Sequence, residues 1–72
     1  MFLVKFPNDQ FLGVNMNQQL IYALNINFAY TFKSLEHIEK ASKFFQLQLN
    51  ESVFTITDLS GNPLKSINPS II

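Results

Sequence analysis

The chain has no cysteine, no arginine and no tryptophan, and only two of its 72 residues are glycine. Without cysteine it can form neither a disulfide framework nor a thiolate zinc site. One histidine, His37, is too few for a histidine-based metal centre, and two isolated glycines cannot build a glycine-rich phosphate loop. No apolar run approaches the ~20 residues that span a bilayer. These absences predict a small globular domain with no cofactor and no metal.

An excess of charge of one sign is also missing, because five lysines balance five acidic residues. A chain without a basic excess neutralises a phosphate backbone poorly, so nucleic-acid binding by charge is disfavoured. Hydrophobic residues make up 47% of the chain and eight residues are phenylalanine, which is too apolar for a disordered protein. We therefore expect one folded domain over residues 1–72. No signal peptide is predicted, so the expected location is the cytoplasm.

Strand patterns dominate the first third of the chain. Residues 2–6 alternate, so that the even-numbered side chains share one apolar face. The turn-forming residues 7–9 and a second strand at 10–15 complete a predicted β-hairpin. Gly13 inside that second strand predicts a bulge or a close backbone approach. Residues 19–24 continue the strand-like pattern.

The alternation is cleanest at residues 26–32, where one face carries Ile26, Phe28, Tyr30 and Phe32. This pattern predicts a half-buried strand with three aromatic rings on its inner face. Phe28 is then a core residue, and its replacement by alanine is expected to cost roughly 3–5 kcal/mol.

A helical period begins at Ser34, which is a good N-cap residue. The apolar stripe of the helix is predicted to comprise Leu35, Ile38, Ser42, Phe45 and Leu49. Asn50 is a candidate left-handed C-cap, so the helix is expected over residues 34–49. Two Glu-before-Lys pairs at i,i+4 mark its solvent face, namely Glu36 with Lys40 and Glu39 with Lys43.

The order of elements predicts an α+β fold, in which a small antiparallel sheet of about four strands carries one helix on one face. Residues 53–58 and 64–67 supply the closing strands. One helix covers roughly 10–12 Å, and four strands spaced about 4.8 Å apart span more than that. Some apolar surface should therefore stay open as a protein interface. The candidate interface residues are Leu3, Leu12, Leu20, Tyr22, Phe44, Ile71 and Ile72.

Residues that could carry chemistry are few. His37 could act as a general base, but no triad-type partner is evident, which favours a solvent-facing histidine. Glu36 and Glu39 could bind a metal, yet each precedes a lysine by four residues, which favours a salt-bridged helix face. Residues 58–62 contain one acid where an EF-hand loop needs several, which favours a hairpin turn. We therefore expect a protein that is not an enzyme.

Residues 30–36, Tyr-Thr-Phe-Lys-Ser-Leu-Glu, form a strand end that enters a Glu/Lys/Ala helix. Together with the hairpin at residues 2–6 and 11–13, this resembles small phage and prophage accessory proteins of Gram-positive bacteria. The resemblance implies a phage or mobile-element protein that binds a host protein in the bacterial cytoplasm, as anti-CRISPR and other anti-defence inhibitors do. Many such inhibitors are acidic DNA mimics, whereas this chain is neutral. Inhibition would then depend on shape and apolar contact.

The expected function is therefore non-enzymatic binding and inhibition of a host protein, such as a CRISPR-type defence effector. Low net charge and open strand edges also favour a homodimer. Two alternatives stay open, namely a self-assembling accessory protein without a host target and a weak single-stranded nucleic-acid binder that uses its aromatic residues.

Overall fold

The computed structural model describes residues 1–67 and has an α+β fold, as the sequence predicts. One antiparallel sheet contains five strands in the order β3-β2-β1-β4-β5. The strands are β1 Leu3–Lys5, β2 Phe11–Val14, β3 Leu20–Ala23, β4 Phe54–Thr57 and β5 Pro63–Ile67. One helix connects β3 to β4 and packs on one face of the sheet. Ile71 and Ile72 lie outside the described residues.

The hairpin predicted at residues 2–15 forms, and β2 and β3 form a second one. In the β1–β2 turn, the Asn8 side chain accepts a hydrogen bond from the Gln10 N–H at 3.0 Å. In the β2–β3 turn, the Asn15 Oδ1 accepts from the N–H groups of Asn17 and Gln19 at 2.9 and 3.0 Å. Backbone N–H groups in a turn have no partner on a neighbouring strand, and these side-chain acceptors take the place of that partner.

The helix comprises an α-helical part, α1 Leu35–Phe44, and a π-helical turn, Phe45–Leu49. Ser34 is the N-cap, because its Oγ accepts from the His37 N–H at 3.3 Å. Asn50 ends the helix at φ 56° and ψ 37°, the left-handed conformation predicted for it. The predicted helix and both of its caps are therefore confirmed.

The main core lies between the helix and the sheet. Phe45 of the π-turn is fully buried, and its ring meets those of Phe6, Phe32 and Phe54 edge to face. Ile38 is also buried, whereas Leu35 from the predicted stripe is exposed. The other buried side chains of this core are Val4, Leu12 and Ile56.

The strand predicted at residues 26–32 is wrong. Ile26–Phe28 instead form a 3₁₀ turn capped by the Asn25 side chain, which accepts from the Asn27 N–H at 2.8 Å. Residues 24–29, here called the covering segment, pack on the sheet face opposite the helix. Phe28 is consequently 75% exposed instead of buried.

Gly13 makes room for the covering segment. A Cβ at Gly13 would lie 3.3 Å from the Phe28 carbonyl oxygen and 3.2 Å from the Ala23 Cβ. The close backbone approach predicted for this glycine is thus confirmed. Leu3, Phe11 and Ala23 form a second, smaller core beneath the segment.

Residues 30–32 run beside the sheet before the helix begins. Phe2 and Phe32 exchange two backbone hydrogen bonds at 2.9 and 2.8 Å, and the Tyr30 N–H donates to the Leu12 carbonyl at 2.8 Å. Phe32 therefore enters the main core as predicted, while Tyr30 remains 46% exposed.

Candidate functional site

A groove with two halves runs along α1 on the side of β2 and β3. The two halves have volumes of about 560 and 520 Å³ and share four lining residues. The shared residues are Tyr30, Phe32, Ala41 and Phe44. The apolar half is additionally lined by Leu12, Val14, Leu20, Phe45, Gln18 and Gln48. The basic half is additionally lined by Thr31, Lys33, His37 and Lys40.

Two partly exposed aromatic rings mark the middle of the groove. Tyr30 is 46% exposed and Phe44 is 44% exposed, whereas Phe32 between them belongs to the main core. The Tyr30 ring packs edge-on against Phe32, with their centroids 4.9 Å apart. Ala41 adds only a methyl group here. The groove is thus an extension of the core surface that the helix leaves uncovered.

Hydrogen bonds fix the π-turn beside the apolar half. The Gln48 Oε1 accepts from the Leu20 N–H of β3 at 3.2 Å. The Tyr22 hydroxyl donates to the Glu51 carboxylate at 2.5 Å, which ties the residues that follow the helix to the same strand. This hydrogen bond is the main reason that the pKa of Tyr22 is raised above its usual 10.0. One wall of the groove is therefore held in place before any partner binds.

The basic half carries most of the groove's charge. Lys33 and Lys40 line it together with His37, and Glu36 forms an ion pair with Lys40 at 3.3 Å. Both ion-pair side chains are about three-quarters exposed, so the pair contributes little to stability. A third cation, Lys43, lies outside the lining, with its Nζ 5.4 Å from the centroid of the Phe44 ring. With Lys40 paired to Glu36, the lining of this end keeps one unpaired lysine, Lys33, within the described residues.

Three of the predicted interface residues meet in this groove. Leu20 and Phe44 line it, and Leu12 forms part of its floor. Leu12 is itself 1% exposed, so the expectation that it lies on an open surface is wrong. The same expectation is wrong for Leu3, which the covering segment buries on the opposite sheet face. Tyr22 is half-buried, with its ring against Phe6 and its hydroxyl at Glu51.

Most of the groove lining was not predicted as an interface, and Tyr30, Ala41 and Gln48 show why. Tyr30 was expected on the inner face of a strand that does not form. Ala41 lies on the sheet-facing side of the helix, and the small size of this residue is the one sequence signal for a gap there. Gln48 carries no signal, because its position depends on the π-turn.

The other candidate groups occupy separate places. His37 is exposed in the basic half. The Asp58 carboxylate accepts hydrogen bonds from the N–H groups of Ser60 and Asn62 and from the Asn62 side chain. The bonds from Asn62 contribute most to lowering the pKa of Asp58. The carboxylate thus closes the β4–β5 turn, which confirms the predicted hairpin at residues 58–62.

Within residues 1–67, no three His, Asp or Glu side chains are grouped closely enough to hold a metal ion. The helix described here is too short and too polar to cross a bilayer, and residues 1–67 contain no other that could do so. No protein-family model, curated protein or solved structure matches the chain. The geometry of the groove is therefore the basis on which a function is assigned.

Proposed function

We propose that this chain is a protein-binding module that seats apolar side chains of its partner in the groove. The observation that carries this proposal is the pair of half-exposed rings, Tyr30 and Phe44, on either side of a concave apolar floor. Buried aromatic anchors dominate the energetics of protein interfaces, and they sit in pockets of this kind. A surface that is already concave and fixed by hydrogen bonds also loses little entropy on binding.

The more specific version of the proposal is inhibition of a host protein by a phage or mobile-element protein. Its support is the resemblance at residues 30–36, and part of that motif, Tyr30 through Lys33, lines the groove. Neutral charge and an apolar groove fit inhibition by shape better than imitation of DNA. The non-enzymatic character is supported by a sequence with one histidine and no cysteine.

Affinity capture with matched baits tests the proposal. The baits are the wild-type chain, Phe44→Ala in the groove and Leu47→Ala as the control, and the lysate comes from a low-GC Gram-positive bacterium. Leu47 is 76% exposed on the same helix but does not line the groove. We expect one stoichiometric protein with the wild type and with L47A, and its loss with F44A. A protein retained equally by all three baits, or none retained by any, would contradict the proposal.

The inhibitory version is tested on the captured protein. If that protein has an assayable activity, adding the wild-type chain should reduce it at stoichiometric amounts, and adding F44A should not. Full activity in the presence of a bound wild-type chain would refute inhibition while leaving the binding role intact.

Self-association is the second candidate, and a different surface favours it. Leu24 and Phe28 of the covering segment are 80% and 75% exposed, and Ile21 of β3 lies beside them. Exposed apolar groups that adjoin a sheet edge favour pairing with a second copy. Sedimentation equilibrium of the wild type and of Phe28→Ser distinguishes the cases. A homodimer that becomes monomeric in F28S supports this role, and a wild-type monomer at high micromolar concentration excludes it.

A further inference from the structure

We propose that the groove recognises a segment in which a large apolar side chain is flanked on one side by acidic residues. The apolar side chain would occupy the apolar half, and the carboxylates would lie over Lys33, His37 and Lys40 of the basic half. This inference rests on the proposed function and specifies the chemistry of the partner.

The charge of the groove is asymmetric along its length. At the apolar end the polar groups are the neutral amides of Gln18 and Gln48, whereas the other end carries two lysines. Charged groups that face each other across an interface set the orientation and the choice of partner. A bound segment should therefore have one preferred direction, with its acidic end beside Lys33.

The acidic residues of the chain leave this end of the groove positive. Asp9 pairs with Lys5 at 3.7 Å, Asp58 closes the β4–β5 turn and Glu51 accepts from Tyr22. Glu36 pairs with Lys40, and Glu39 lines a pocket on the other side of the helix together with Lys65. In the part of the chain that the structure describes, Lys33 forms no ion pair. It is therefore available to a carboxylate of the partner.

A single-stranded nucleic acid fits the groove less well than an acidic peptide does. Base stacking needs an accessible ring face, and the edge-to-face contact with Phe32 takes up part of the Tyr30 ring. Affinity for a phosphate backbone also needs several cations along a track, and two lysines line this groove. The shape instead suits a side chain that projects into the apolar half.

Selection from a displayed library of random dodecapeptides tests the inference with the full chain as the target. The expected enriched peptides carry Phe, Leu, Ile or Met with Asp or Glu clustered on one side. Their binding should weaken as salt rises from 50 to 500 mM, since the Debye length falls from more than ~10 Å to less than ~8 Å over that range.

Charge reversal at the groove provides the matched comparison. Loss of one exposed ion pair weakens binding by about two- to fivefold. Lys33→Glu also adds repulsion between like charges, so it should weaken binding of the best selected peptide by at least that factor. Lys65→Glu makes the same charge change on the other side of the helix, beside Glu39, and should leave the affinity unchanged. Circular dichroism spectra of both variants establish that they fold.

The remaining outcomes separate the two proposals. The enriched peptides could lack an acidic bias and still lose binding in F44A but not in L47A. That result would overturn the proposal of an acidic partner and would keep the groove as a binding site. No enrichment, or equal binding to F44A and L47A, would overturn both. Three other results would each overturn the acidic-peptide proposal. The K33E variant could bind the same acidic peptides with equal affinity, or the wild-type chain could bind a single-stranded oligonucleotide more tightly than any peptide. The third result is a homodimer that the F44A substitution dissociates.

Discussion

Replacement of Phe45 by alanine is the most direct test of the main core. Phe45 is fully buried, and its ring centroid lies 5.8, 6.4 and 5.3 Å from those of Phe6, Phe32 and Phe54. The side chain comes from the π-turn and reaches the centre of the sheet. Its removal therefore takes away the aromatic contacts that the π-turn makes with Phe6, Phe32 and Phe54.

The expected loss is large relative to the stability of the domain. A buried Phe→Ala change costs roughly 3–5 kcal/mol through lost transfer free energy and the remaining cavity. Stability of about 0.05–0.15 kcal/mol per residue gives a 72-residue chain about 4–11 kcal/mol in total. At about 4–8 °C per kcal/mol, the melting temperature of Phe45→Ala should fall by roughly 12–40 °C.

Phe28→Ala is the matched control, because the chemical change is the same and Phe28 is 75% exposed. Its free energy of unfolding should lie within about 0.5 kcal/mol of the wild-type value. Urea unfolding followed by circular dichroism at 222 nm measures both variants. Similar losses in the two, or a larger loss in Phe28→Ala, would refute the placement of both residues and restore the strand predicted at 26–32.

The helix caps and one ionisable group give further predictions. Ser34→Ala removes the acceptor for the His37 N–H and should cost about 1 kcal/mol in urea unfolding. Asn50→Ala, at φ 56°, should cost about 1–2 kcal/mol, whereas Asn50→Gly should be nearly neutral. Absorbance at 295 nm is followed against pH for the wild type and for Tyr22→Phe, and the difference reports the ionisation of Tyr22. The pKa of Tyr22 should lie above 10.0, and Glu51→Gln should return that pKa towards 10.0. Because the folded-state pKa is raised, the stability that this hydrogen bond adds is complete below pH 10.0 and is lost as the pH rises through the raised pKa.

The elements that sequence patterns predict correctly are those fixed by local chemistry. Turn residues with side-chain acceptors, such as Asn8 and Asn15, bond to the backbone within four positions. Ser34 and Asn50 satisfy the helix ends in the same way. Each of these contacts depends on neighbours in the chain, so the sequence alone is enough to locate it.

The prediction of a strand at 26–32 is wrong because it rests only on apolar residues at every second position. A tight turn can produce the same spacing of apolar residues as a strand. The Asn25 side chain stabilises the turn locally, while room for the covering segment comes from Gly13, twelve residues earlier. Leu3 was assigned to an open surface for the same reason, since the segment that buries it was expected to be a strand of the sheet itself. Gly13 indicates that some backbone approaches closely, but the local pattern does not say which segment does so.

The candidate site was only partly predictable. Leu20 and Phe44 were found because they are apolar residues on elements that were placed correctly. Tyr30 and Gln48 could not be found, because their positions depend on the failed strand and on the π-turn. The expectation that one helix leaves sheet surface uncovered holds, and the groove is where the uncovered surface lies.

The groove persists because the helix is held at both ends. Near its start, Phe32 is hydrogen-bonded to Phe2, and beyond its end Glu51 is bonded to Tyr22. A helix about 10–12 Å wide, held in this way, leaves part of a sheet of five strands spaced about 4.8 Å apart uncovered. Ala41, midway along the helix, is too small to fill the gap that results.

Replacement of Ala41 by leucine should therefore change stability and binding in opposite directions. The added side chain would occupy the middle of the groove, and burying part of it should stabilise the fold by about 1 kcal/mol, or raise the melting temperature by about 4–8 °C. The same side chain should exclude the partner, so that capture or peptide binding is lost from a more stable protein. A gain in stability together with a loss of binding is expected where a surface is kept open for function. A gain in stability with unchanged binding would show that the partner does not use the groove.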